Sequence, residues 1–137
     1  MRQLVRRLLG EGAVFHVVRA QVMRVRRWRH GLRDVHPTFY MPAGARVSKD
    51  LKAGAYSFVN IGCMVGPKVE LGEYVMFGPR VMVVGADHAI DVPGVPAIFA
   101  GRPELPVTRI EADAWIGAGA IIMAGVTIGR GAVASRS

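Results

Sequence analysis

Residues 41–88 divide into eight six-residue units: MPAGAR, VSKDLK, AGAYSF, VNIGCM, VGPKVE, LGEYVM, FGPRVM and VVGADH. Their first positions are Met41, Val47, Ala53, Val59, Val65, Leu71, Phe77 and Val83; their fifth are Ala45, Leu51, Ser57, Cys63, Val69, Val75, Val81 and Asp87. After an irregular stretch the phase returns at Ile110, Ile116, Ile122 and Ile128, with Ala114, Ala120, Val126 and Ala132 four places later. One branched apolar residue per six points inward, and a second small or branched residue fills the corner. Three such units close a triangular coil, and each coil buries its edges only against its neighbours, which is a parallel β-helix.

Glycine recurs directly after the inward residue, at Gly54, Gly66, Gly72, Gly78, Gly117 and Gly129. The expected reason is a tight corner that favours a residue without a Cβ. Met41 and Ala53 fit the inward position less well, and Asp87 is polar where a corner should be.

The net charge of +8 is local. Residues 1–33 carry nine arginines against one acid, Glu11, while residues 34–137 balance nine bases with nine acids. A single cysteine, Cys63, permits no internal disulfide, which fits a reducing compartment. Its corner position reads as a packed thiol rather than a nucleophile. No stretch reaches the ~20 apolar residues of a membrane span. Arginines at positions 6, 7, 19 and 24 interrupt any signal-peptide core.

The sequence thus divides into a basic amphipathic helical segment over 1–33, a connector over 34–40 and a β-helix over 41–137 with an inserted loop over 89–109. The basic segment reads as two helical pieces hinged at Gly10-Glu11-Gly12. Leu4, Val5, Leu8 and Leu9 share one side of the first; Val14, Val18, Val22, Val25 and Trp28 follow helical spacing in the second, with Arg19, Arg26 and Arg27 across from them. Residues 1–30 fit contact with an anionic membrane surface. They fit equally an apolar stripe packed on the β-helix or a neighbouring subunit, the arginines being solvated. Nucleic acid fits less well, because aromatic residues do not interleave with the basic ones to make a stacking platform.

The loop carries prolines at 93, 96, 103 and 106 and begins directly after His88, the one histidine of the repeat region. A loop of this length inside a solenoid points to function.

Val59-Asn60-Ile61-Gly62, Phe77-Gly78-Pro79, Gly85-Ala86-Asp87-His88, Asp113-Ala114-Trp115-Ile116-Gly117-Ala118 and Ala124-Gly125-Val126-Thr127-Ile128-Gly129 resemble the hexapeptide-repeat acyltransferases. The order of motifs, over roughly Val47 to Val133, is most similar to the maltose/galactoside O-acetyltransferase and streptogramin acetyltransferase group and to acetyltransferases of polysaccharide synthesis. The resemblance implies an all-β, left-handed parallel β-helix, a homotrimer, and acetyl-CoA bound between subunits as acyl donor, with no metal. His88 matches the family's general base. An imidazole titrating near neutrality can take the proton of a sugar hydroxyl as it attacks a thioester, then return it to the departing thiolate. Ala118, beside Gly117, matches the position whose backbone N–H faces the acyl carbonyl and would stabilise developing negative charge. Asn60 matches a residue that contacts the acceptor, or else caps a corner through its own amide. Asp87 could orient the imidazole or meet the acceptor, or else bond its own turn. Arg102 and Glu104 could meet acceptor or CoA phosphates, or else be solvated loop charges. Trp115 reads as an apolar plug between loop and coil as readily as a ligand contact.

Relatives continue past the counterpart of Gly129-Arg130-Gly131-Ala132-Val133 into a further coil and tail that supply CoA contacts, so the chain, ending at Ala134-Ser135-Arg136-Ser137, reads as truncated at its C-terminus. The leading expectation is an acyl-CoA-dependent O-acetyltransferase acting on a carbohydrate or polysaccharide precursor, cytoplasmic or peripheral to the inner face of the membrane. The alternative is a catalytically incomplete relative serving as a membrane-peripheral or subunit-interaction module. A γ-type carbonic anhydrase shares the solenoid but needs zinc-binding histidines from more than one coil, and His88 stands alone.

Overall fold

A computed structural model describes residues 12–135. The first helical piece expected from the sequence lies outside these residues. Among the described residues, eleven short strands form three sheets of parallel pairs. One sheet stacks β1 (Arg46–Val47), β3 (Met64–Val65), β6 (Met82–Val84) and β9 (Ile121–Met123). A second stacks β2 (Lys52–Ala53), β4 (Val69–Leu71), β7 (Thr108–Ile110) and β10 (Thr127–Ile128). The third stacks β5 (Met76–Phe77), β8 (Trp115–Ile116) and β11 (Val133–Ala134). Arg46 pairs with Met64 and Met64 with Met82, so each residue lies over the one 18 positions later, three six-residue sides per coil. Neighbouring coils rise by about 4.8 Å, the spacing of hydrogen-bonded strands.

The six-residue phase produces this because each side offers the interior its first and fifth residues. Met41, Ala53, Val59, Val65, Leu71, Phe77 and Val83 are buried, and so are Ala45, Leu51, Ser57, Cys63, Val69, Val75 and Val81. Each large apolar side chain removed from water contributes about 1.5–3 kcal/mol. Polar groups on the inner wall are matched: Ser57 Oγ donates to Gly54 O at 2.6 Å, and the Cys63 thiol donates to Gly78 O at 3.2 Å. Pairing begins upstream of Met41, since Val35 bridges Ala53 and Tyr40 bridges Phe58, with Phe39 buried between them.

The left-handed backbone conformation also repeats every six residues, at Tyr56, Gly62, Lys68, Tyr74, Arg80 and Ala86, then at Asp113, Gly119, Gly125 and Gly131. These corners lie three residues after the inward position, not one. The glycines directly after it have another reason: a Cβ on Gly54 would lie 2.6 Å from Glu73 N, and one on Gly78 would lie 2.6 Å from Ala118 N. They permit the backbone of the next coil to approach rather than a left-handed turn.

Met82 pairs with Ile121, 39 residues on rather than 18, so the third coil carries a 21-residue insertion. The insertion displaces the corner from Asp87, which is exposed, to Thr108, which is buried and pairs with Val69. Strand β7 therefore starts at Thr108, two residues inside the loop boundary expected from the sequence.

Helix α1 (Ala13–His30) ends at Gly31, whose left-handed backbone lets its N–H and that of Leu32 return to the Trp28 and Arg27 carbonyls. It lies against the first coil through Met23, which is buried, through the Arg26 guanidinium donating to Met41 O at 2.7 Å, and through the Arg19 guanidinium 4.3 Å from the centre of the Tyr40 ring. The valine stripe does not pack on the β-helix. Val14, Val18, Val22, Val25 and Trp28 are all exposed.

Candidate active site

Strand β6 ends at Val84 and delivers Gly85-Ala86-Asp87-His88 to the root of the loop. Ala86, at φ 66°, turns the chain outward. The loop closes on itself where Ala89 N–H donates to Gly101 O at 2.9 Å, and its returning limb, Pro103 to Pro106, lies over Met123 and Ala124 of the next coil. His88 sits in the resulting cleft of about 170 Å³, with Gly85, Leu105, Met123 and Ala124 among its walls. The residue is half-buried, and its Nδ1 is shielded from solvent with no hydrogen-bond partner among the described residues. A buried imidazole nitrogen without a partner costs about 1–3 kcal/mol, and such an atom in a cleft calls for an explanation.

Asp87 is exposed and does not reach this nitrogen. Arg102 is exposed at the loop surface and forms no ion pair among the described residues. Glu104 lies 3.7 Å from Lys68 Nζ, linking the loop to the coil beneath. Trp115 is half-exposed on the outer side of β8, not a plug between loop and coil.

Asn60, Gly117 and Ala118 belong to a different corner. Phe77 pairs with Ile116, which stacks Gly78 under Gly117, and Asn60 lies one coil lower still, 18 residues before Gly78. Asn60 Oδ1 accepts the Ile61 N–H at 2.8 Å, so its amide caps the corner in this chain. Gly117 N–H is used by Ala134 O at 2.6 Å. Ala118 is exposed, and its N–H donates to no backbone carbonyl among the described residues. Gly119 beyond it borders a recess of about 680 Å³ that also contains Ile122, Ile128 and Ala134 but not His88.

Ala118 enters the sheet edge on which β9 lies, and Ala124, in the His88 cleft, leaves it. Six residues of extended chain, each about 3.3 Å, put the two corners on the order of 15–20 Å apart. Reacting atoms must come within about 3–3.5 Å. Within one chain the structure does not bring His88 and Ala118 together. Among the described residues no three His, Cys, Asp or Glu side chains converge.

The cleft walls Leu105, Met123 and Ala124 were not among the residues singled out from the sequence. Their signal was the coil register itself: adding the 21-residue insertion to one 18-residue coil stacks Ala124 over Gly85.

The family model of the bacterial transferase hexapeptide (six repeats) matches residues 108–133. The chain is 37% identical over 96 residues to nodulation protein L of Rhizobium meliloti (strain 1021), covering 68% of this chain and 48% of that protein. It is 35% identical over 96 residues to nodulation protein L of Rhizobium leguminosarum bv. viciae, covering 68% and 46%. It is 30% identical over 100 residues to galactoside O-acetyltransferase of Lactococcus lactis subsp. lactis (strain IL1403), covering 72% and 46%. The chain thus spans about half the length of the curated relatives it matches. With its parallel coils of three six-residue sides and these matches, the chain is a left-handed parallel β-helix that belongs to the hexapeptide-repeat transferase family.

Proposed function

We propose that this chain serves an O-acetyltransferase that moves the acetyl group of acetyl-CoA to a hydroxyl of a carbohydrate, such as a polysaccharide precursor presented at the inner face of a membrane. The observation that carries the reading is the shielded, unpartnered Nδ1 of His88 in a cleft at the root of the one long loop. The name of one relative, galactoside O-acetyltransferase, supports the reaction class and a sugar acceptor.

In the proposed reaction the His88 imidazole takes the proton of the acceptor hydroxyl as its oxygen attacks the thioester carbonyl carbon. Negative charge gathers on the carbonyl oxygen and is met by the Ala118 N–H. The C–S bond then breaks, and the imidazolium returns its proton to the CoA thiolate, leaving an acetyl ester and free CoA. Because His88 and Ala118 stand on separate corners, base and oxyanion donor would come from two copies of the chain. A cyclic homotrimer would repeat that pairing at each interface. Asn60, on the Ala118 corner, and Asp87 and Arg102, on the His88 corner, would then face the same cleft from opposite sides and contact the acceptor.

The test is calorimetric titration with acetyl-CoA followed by thiol release in the presence of candidate sugars. The proposal predicts saturable acetyl-CoA binding, sugar-dependent release of CoA, and a loss of about 10²- to 10⁴-fold in rate for His88→Ala. Unchanged turnover in His88→Ala, or no transfer to any hydroxyl acceptor, would overturn it.

A further inference from the structure

The orientation of α1 gives the chain a second surface. Met23, Arg19 and Arg26 fix one side of the helix to the first coil. At 3.6 residues per turn, Val14, Val25 and Val18 lie within about 40° of one another on the opposite side, with Val17 and Trp28 beside them. All five are exposed, Trp28 at 83%. Arg24 borders this face on one edge and Arg29 on the other, and both are exposed. Residues 12–33 contain six arginines and no acidic residue.

A largely apolar centre, interrupted by the exposed Gln21 and flanked by cationic margins, discriminates among partners. A second copy of the chain would set like charge against like charge. A nucleic-acid backbone would gain nothing from the valines and would find a single aromatic residue, Trp28, in place of a stacking row. An anionic bilayer answers both parts, taking the apolar centre into the headgroup and acyl boundary and pairing its phosphates with the arginines. No described helix is long and apolar enough to cross a membrane, so α1 would lie along the surface.

We propose that the outer face of α1 docks the protein on an anionic lipid bilayer, with Val14, Val18, Val25 and Trp28 entering the interface and Arg24 and Arg29 contacting lipid phosphates. The contact is independent of acyl transfer and would hold whether or not the chain is catalytic.

The test is sedimentation of the full chain with vesicles of phosphatidylcholine alone and of phosphatidylcholine with phosphatidylserine, alongside Trp28 fluorescence in a Trp115→Phe background. The expected result is at least about tenfold stronger binding to the anionic vesicles, weakened by salt, with a blue shift of Trp28. Val18→Asp/Val25→Asp should abolish binding while leaving the melting temperature unchanged, because both valines are exposed. Equal binding to neutral and anionic vesicles, an unshifted Trp28, or full binding by the double variant would overturn the proposal. So would self-association of the wild-type chain that the double variant abolishes while neither form binds vesicles, which would assign the face to a second copy.

Discussion

The Thr108 hydroxyl accepts the Gly125 N–H at 3.1 Å, tying the end of the long loop to the corner of the coil above it. Thr108 is buried, and Gly125 holds a left-handed backbone at φ 84°. Thr108→Val keeps the shape of the side chain but strips the partner from a part-buried N–H. The expected cost is about 1–3 kcal/mol in denaturant-induced unfolding. Because the bond anchors the loop limb over the His88 cleft, earlier proteolytic cutting within 89–107 should accompany it.

Gly72 reports on coil spacing. A Cβ there would lie 2.5 Å from Ala112 N, a backbone atom that cannot move without parting two coils. Gly72→Ala should destabilise the chain by about 1–3 kcal/mol or more, as overpacking does. Gly94, in the loop, has open space around it and a φ of 74°, so Gly94→Ala should cost only the left-handed strain of about 1–2 kcal/mol. Chemical denaturation of the two variants checks the ordering.

Lys52, Glu70 and Arg109 form a ladder across β2, β4 and β7, with Lys52 Nζ 3.0 Å and Arg109 Nε 3.3 Å from the Glu70 carboxylate. The Lys52 hydrogen bond, with Coulombic help from Lys52 and Arg109, holds the Glu70 carboxyl below its ordinary value of 4.5. A carboxyl depressed in the folded state stabilises above its unfolded pKa, and this is lost as pH falls through the folded value. The side chains are partly exposed, so the contribution is about 0.2–1 kcal/mol. Glu70→Gln should therefore be slightly less stable than wild type at neutral pH, and the difference should vanish at strongly acid pH. A constant difference across the range would contradict the assignment.

The coil architecture was legible because its signal is local: each side needs one inward and one corner residue, and Val59, Val65, Leu71 and Val75 supply them in fixed phase. The left-handed corners were hidden because Tyr56, Lys68, Tyr74 and Arg80 occupy them alongside Gly62, Gly119, Gly125 and Gly131, so no single residue type marks the position. A polar hydroxyl at Thr108 masked the return of the phase. Helix α1 was legible as a helix, but its buried side was not, since periodicity marks an apolar stripe without saying what covers it. Met23 alone turned inward while the valines faced out. For the candidate site, the break in phase pointed to His88, whereas the cleft that Leu105, Met123 and Ala124 line with it depended on how the loop folds back.

If His88 of one copy works with the Ala118 N–H of another, two variants that are each inactive should complement one another. Ala118→Pro deletes that N–H at a corner whose counterpart one coil below is already proline, Pro79, as the pairing of Phe77 with Ile116 shows. His88→Ala deletes the base. Each variant alone should lose at least about 100-fold in acetyl transfer. Dissociated, mixed in equal amounts and reassociated, they should regain activity at about one site in four, because an intact interface needs His88 from one variant and Ala118 from the other. A mixture as inactive as its parents, beside an active wild type treated identically, would contradict the shared site.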